Sequence, residues 1–419
     1  MDLLKACLNH DGAAASETVA EMVANAQPSA TWAVLMHAAA WNEQREFDTP
    51  HSTILTFSIH RMIEDLGQNA RILNGETGSG LNALPRKFRE SLQSTLIERL
   101  AYHLADVDHW VTEAGPRYDI DIPMDSLDNA LGRYTGAIRE RRQIRAAESA
   151  LRLASRENPI RLLRSTASMA AEEPDKLGHA FIMPLSLLLE LPQSRFTRPI
   201  QASIWHLTEY LVRKIPRKRE KEFVVDERMD QMAEPTDLSA HKVHFMNSIV
   251  QYGILGHNGI FAHRIAEAAE QGIVNSSTVE WLLSMLKRNI GEKRSQKQLD
   301  ARKLSVSENG TDWKEIPSRI DLPHSDDVRE WLDVSEYWGA MMNLESNVFE
   351  QLVPSIDESE WPVIRAAQYA MASINGEPRA SHVMLFTHAA WSLADKGLVP
   401  QSLAALQVHR MLRQYLERR

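Results

Sequence analysis

The chain has 419 residues, 43% of them apolar and 25% charged, the balance of an ordinary globular protein with room for two or three domains or one repeat-built body. Lys and Arg number 47 against 56 Asp and Glu, and the formal charge of −9 argues against a broad nucleic-acid surface. A single cysteine, Cys7, excludes an internal disulfide, a thiolate zinc site and a cysteine-ligated iron–sulfur cluster, and it makes a reducing, cytoplasmic location the expectation.

Helix is predicted nearly throughout. Ala, Leu, Glu, Arg and Met, the strong helix formers, dominate. No run of alternating β-branched residues and no hairpin signal stands out. The opening residues, Met1 to Cys7, lack the charged and apolar regions of an export signal. Residues 22–27 read as a short helix ended by Pro28, followed by the apolar Leu35-Met36-His37-Ala38-Ala39-Ala40-Trp41 and, after a turn, by Ile59-His60-Arg61-Met62-Ile63. Residues 74–80 are a Gly-rich turn without the Lys-Ser/Thr of a phosphate loop. A long helical region covers 81–153, with apolar positions three and four apart over 92–104 and a break at Ala114-Gly115-Pro116.

Glu173-Pro174 then leads into Gly178-His179-Ala180 and on to Trp205-His206-Leu207, inside a periodic stretch at 204–212. Apolar stretches such as 181–191 are shorter than the roughly 20 residues of a membrane span, so no membrane is expected. Residues 213–238 carry Arg217-Lys218-Arg219-Glu220-Lys221, and 291–327 carry Glu308-Asn309-Gly310, Pro317 and Pro323; both read as exposed loops. Interspersed Glu makes the basic runs at 213–221 and 139–145 solvated faces rather than nucleic-acid patches. His241 and His244 share a helical face, as do Trp331 and Trp338, while Trp41 and Trp391 read as core. Periodic helices at 279–286 and 403–416 complete the pattern, and Gly397 stands where a left-handed cap would end a helix.

The chain also resembles itself. Residues 246–277 set beside 371–402, an offset of 125 without a gap, share ten of 32 positions: Met246/Met371, Ser248/Ser373, Ile249/Ile374, His257/His382, Phe261/Phe386, His263/His388, Ala269/Ala394, Gly272/Gly397, Val274/Val399 and Ser277/Ser402. Unrelated segments would share about two, so an internal duplication is the natural reading. Weaker, gapped copies begin near Met22 and Glu173. The shared unit is a two-helix hairpin, and the expected fold is all-α: stacked helical hairpins curved into a solenoid or toroid. An N-terminal half over 1–214, a charged linker over 215–240 and a C-terminal half over 241–419 are the expected parts.

Three histidine columns emerge from the copies. The first holds His37, His263 and His388, the second His179, His257 and His382, and the third His60, His206 and His409. His257 and His263 are six residues apart, which on a helix is about 240° around and roughly 9 Å along. One helix therefore does not aim both at one ion, and a metal site needs column equivalents from different copies. Imidazole suits Zn, Fe, Cu and Ni, and haem with axial histidines is the related alternative. Asp48 and Asp395 are candidate oxygen ligands or supporting partners. Buried histidines that merely pack helices would produce the same columns. His-Glu-x-x-His, Glu-x-x-His and Gly-x-Ser-x-Gly are all missing, which removes zincins, ferritin-like di-iron proteins and α/β-hydrolases.

Gly178-His179-Ala180-Phe181-Ile182, Ala240-His241-Lys242-Val243-His244 and Ser381-His382-Val383-Met384-Leu385-Phe386-Thr387-His388-Ala389 are similar to the recurring His-containing helices of the questin oxidase-like family. That resemblance implies a helical protein associated with NADPH-dependent oxygenation of polyketide aromatics. Three function classes follow. The first is an oxidoreductase acting on a small hydrophobic molecule in a His-lined cavity, with His37, His263 and His388 as the catalytic set and His179, His257 and His382 binding a cofactor: a transition metal, haem or NADPH. The second is a repeat scaffold for a protein partner. The third is a small-molecule or cofactor carrier without turnover.

Overall fold

A computed structural model of the chain describes residues 3–25, 28–43, 50–67, 81–155, 159–175, 177–191, 197–218, 229–290, 356, 361–373 and 378–416. The Gly-rich turn at 74–80, Asp48, the polar segment 291–327 and the tryptophans 331 and 338 lie outside the described residues.

The protein is all-α. Its helices are α1 (Leu3–Leu8), α2 (Gly12–Asn25), α3 (Pro28–Ala40), α4 (His51–Leu66), α5 (Arg86–Asp106), α6 (Leu127–Arg139), α7 (Gln143–Ala154), α8 (Ile160–Glu172), α9 (His179–Leu189), α10 (Thr197–Lys214), α11 (Lys242–Val250), α12 (His257–Glu270), α13 (Ser276–Ile290), α14 (Trp361–Ser373), α15 (Pro378–Asp395) and α16 (Gln401–Leu416). Among the described residues one isolated bridge, Asn42 to His109, is the extent of β pairing.

Local chemistry explains the boundaries. Ser126 caps α6 by accepting a hydrogen bond from the Asn129 N–H at 3.2 Å. Gly272 and Gly397 follow α12 and α15 at φ 62° and 64°, and each closes its helix with the same back-bonds, Ile273 N–H to Ala268 O and Leu398 N–H to Leu393 O. Every described side chain of α9 from His179 to Leu188 is buried, as a helix apolar all round must be.

The fold comprises two compact units, neither a single stretch of chain. The first takes 1–58, 100–238 and 264–285; the second takes 59–99, 239–263 and 286–419. Each of α4, α5, α12 and α13 contributes residues to both.

Within the first unit α6 packs on α7, α8 on α9, and α3 and α7 on α10. Residues 229–238, the described end of the charged loop, are tied down by Ala233 N–H to Gly272 O (2.7 Å), Thr236 N–H to Ala269 O (3.0 Å) and the buried Arg164, which reaches the Gln231 carbonyl.

Within the second unit α14, α15 and α16 pack mutually, and α11 lies on α16. Arg365, only 1% exposed, is paired with both oxygens of Asp395 at 2.8 Å and with Asp65 at 2.6 Å. Burial pushes the Asp65 carboxyl up to about 6 against the pull of Arg365, and the neighbouring Asp395 adds to the rise. Trp391, also in this core, donates to Gln368 Oε1 at 2.9 Å.

Candidate metal centre

Three helices begin on a histidine: α4 at His51, α9 at His179 and α12 at His257. Because Cα–Cβ bonds tilt toward the helix N-terminus, a side chain at the first position reaches past the helix start. The turns before two of these starts are unusual. Asp175 sits at φ 59°, and its Oδ1 accepts from the N–H groups of Leu177 (2.8 Å) and His179 (3.2 Å), while Gly178 stands at φ 81°. Burial holds the Asp175 carboxyl above its ordinary range, against the lowering by those N–H groups. Before His257 come Gly253 at 72°, Leu255 at 53° and Gly256 at 86°. Non-glycine residues with positive φ are rare and costly, of the order of 1–3 kcal/mol each, and they concentrate at functional sites. Among the described residues they are His10, Arg141, Asp175 and Leu255, so two of the four precede one of these histidines.

The fourth histidine, His382, lies near the start of α15. Phe386, one turn further on the same face, covers Gly256 and Gly259 so closely that a Cβ on either glycine would come within 2.7 Å of it. That approach lets the rings of His257 and His382 meet, with centroids 4.9 Å apart. The rings of His51 and His179 meet edge to face at 5.1 Å.

All four side chains are buried, His51 against His179 in the first unit and His257 against His382 in the second. The Nδ1–H of His257 donates to the Ile254 carbonyl in the strained turn, which fixes the tautomer of the ring. Neutral imidazoles suit Zn, Cu, Fe or Ni and fit poorly with Ca or Mg, which demand oxygen.

The structure pairs His257 with His382 of the second column, and it pairs His179 with His51, which no column contained. A sequence signal for His51 existed. His179 follows Gly178, His257 follows Gly256 and His51 follows Pro50, so all three begin a helix just after a breaker.

The first column is distributed differently. His263 and His388 form their own buried, perpendicular pair at 5.0 Å. His37 instead bonds through Nε2 to the Tyr118 hydroxyl at 2.7 Å, and the same hydroxyl accepts from the Trp41 indole at 2.8 Å. Of the third column, His206 contacts the Thr53 hydroxyl at 3.2 Å, and His409 is buried. Asp395 is engaged with Arg365. His241 and His244 lie 6.1 Å apart.

No family model, curated protein or solved structure matches the chain. Among the described residues no helix is long and apolar enough to cross a membrane.

Proposed function

We propose that the protein is a metalloprotein that binds a transition-metal ion through buried imidazoles, His51 with His179 and His257 with His382. The observation that carries this reading is that each of these buried pairs brings its rings to within about 5 Å, at 5.1 and 4.9 Å, where a helix begins on a histidine. The fixed tautomer of His257 and the left-handed turns ahead of His179 and His257 support it, because each holds a ligand in one orientation before the ion arrives.

The activity we assign to the centre is oxidation of a hydrophobic small molecule. Its support is chemical: imidazole donors suit redox-active Fe and Cu, and the ion would retain its full charge among neutral ligands. The resemblance of the 178–182 and 381–389 helices to the questin oxidase-like family points the same way.

Elemental analysis and an absorption spectrum of untagged protein test both levels. Near-stoichiometric Fe or Cu is the expected result. Zinc alone, with no redox response, overturns the oxidoreductase reading and leaves the metal centre standing. A protein that contains no transition metal and takes none up from Co(II), Cu(II) or Zn(II) overturns both.

A further inference from the structure

The first turn of α4 carries two hydroxyl–imidazole contacts beyond the metal ligands. Ser52 Oγ lies 3.4 Å from Nε2 of His103 on α5, and Thr53 Oγ1 lies 3.2 Å from Nε2 of His206 on α10. All four side chains are buried. With His51 against His179 on α9, three consecutive residues of α4 each meet a histidine of a different helix. Successive helical side chains diverge by about 100°. Contacts on three successive residues therefore grip the turn from three directions and fix both its rotation and its height.

The other proposed ligands that begin a helix are set within their own turns. His179 has the Asp175 carboxylate on its backbone N–H, and His257 has the Ile254 carbonyl on its ring. His51 is set by what its two successors touch.

We infer that Thr53 and His206, seconded by Ser52 and His103, are positioning residues that aim His51 at the metal. This inference rests on the metal-centre reading. Burial lowers the pKa of His103 to about 4 and that of His206 to about 3, with the charge of Arg213 adding to the latter. Both rings are therefore neutral near pH 7, and they place no positive charge beside a cation. Hydrogen bonds made directly to a ligand typically govern 10–100-fold in metal affinity, and bonds that fix the ligand's helical turn act through the same orientation.

The test is a Co(II) titration of the metal-stripped full chain, read by affinity and by the visible ligand-field band. Thr53→Val, which keeps shape and removes the hydroxyl, is expected to weaken Co(II) binding about tenfold or more and to shift the band. Thr53→Ser should restore both. His206→Phe, which keeps a ring and removes the bond, should reproduce the loss, and it decides the matter if Thr53→Val does not fold. Thr53→Val and His206→Phe binding Co(II) with wild-type affinity and band, while losing only thermal stability, overturns the inference alone. A wild-type protein that takes up no Co(II) overturns the metal reading and this inference together.

Discussion

Two histidine pairs on the same two helices differ in what surrounds them. His257 meets His382 and, six residues further along α12 and α15, His263 meets His388; the ring separations are 4.9 and 5.0 Å, and both pairs are buried. In each case a histidine meets its counterpart 125 residues on. Yet the first pair stands where α12 begins, behind a left-handed turn whose Ile254 carbonyl fixes the His257 ring, and the second lies in the middle of both helices. Packing α12 against α15 suffices to bring imidazoles together. A ligand needs its orientation held in advance, and only the pair at the helix start has a turn that does so.

The largest expected effect separates the two pairs outright. His382→Ala or His257→Ala should abolish stoichiometric metal binding, whereas His263→Ala and His388→Ala should retain the ion, as measured by elemental analysis after dialysis. Metal loss in all four variants would erase the distinction.

Gly259→Ala comes next. It drives a Cβ to 2.7 Å from the Phe386 ring and 3.0 Å from Ile249, so the Phe386 ring and the helix that carries it and His382 must shift. Metal affinity should fall by about tenfold or more while helical content persists, a result to be read by Co(II) titration with circular dichroism.

The comparison sharpens when extended to His103 and His206, which are buried but act as neighbours of a ligand. Their pKa values, about 4 and about 3, lie below the unfolded value of 6.5, so the unfolded chain binds more protons in that interval. Their contribution is complete above pH 6.5 and is lost as pH falls toward 4 and then 3. Asp65 acts in the opposite sense. Raised from 3.8 to about 6, it favours the folded chain as pH falls through that window and offsets one of the two imidazoles. The balance is a stability that drops with acid between about pH 6.5 and 4, by an amount on the order of a few kcal/mol. The urea midpoint of metal-stripped protein should therefore be lower at pH 5 than at pH 7.

The smallest effect belongs to the second pair taken alone. His388→Ala should destabilise by about 1–3 kcal/mol, the increment of an ordinary core residue, with metal content and spectrum unchanged. Thermal unfolding monitored alongside metal analysis checks it.

Much of the fold was legible in the sequence because helices are local objects. Side-chain spacing of three and four, strong helix formers, and the breakers at Gly272 and Gly397 define where helices run and stop, and all of that information lies within a few residues. The spacing of His257 and His263 likewise fixed that the two could not serve one ion, because the angle between them follows from 3.6 residues per turn.

Which histidines would share a group was decided by the tertiary structure. Periodicity states which face of its own helix a residue occupies; it says nothing of which helix arrives opposite. His51 and His179 are 128 positions apart, and no local pattern links them. His37 shows the same limit, since Tyr118, 81 residues away, takes up its Nε2. A metal site is a set of distances among residues far apart in sequence, and such distances are fixed only when strained turns, close glycine contacts and buried hydroxyl–imidazole bonds lock the helix ends in place.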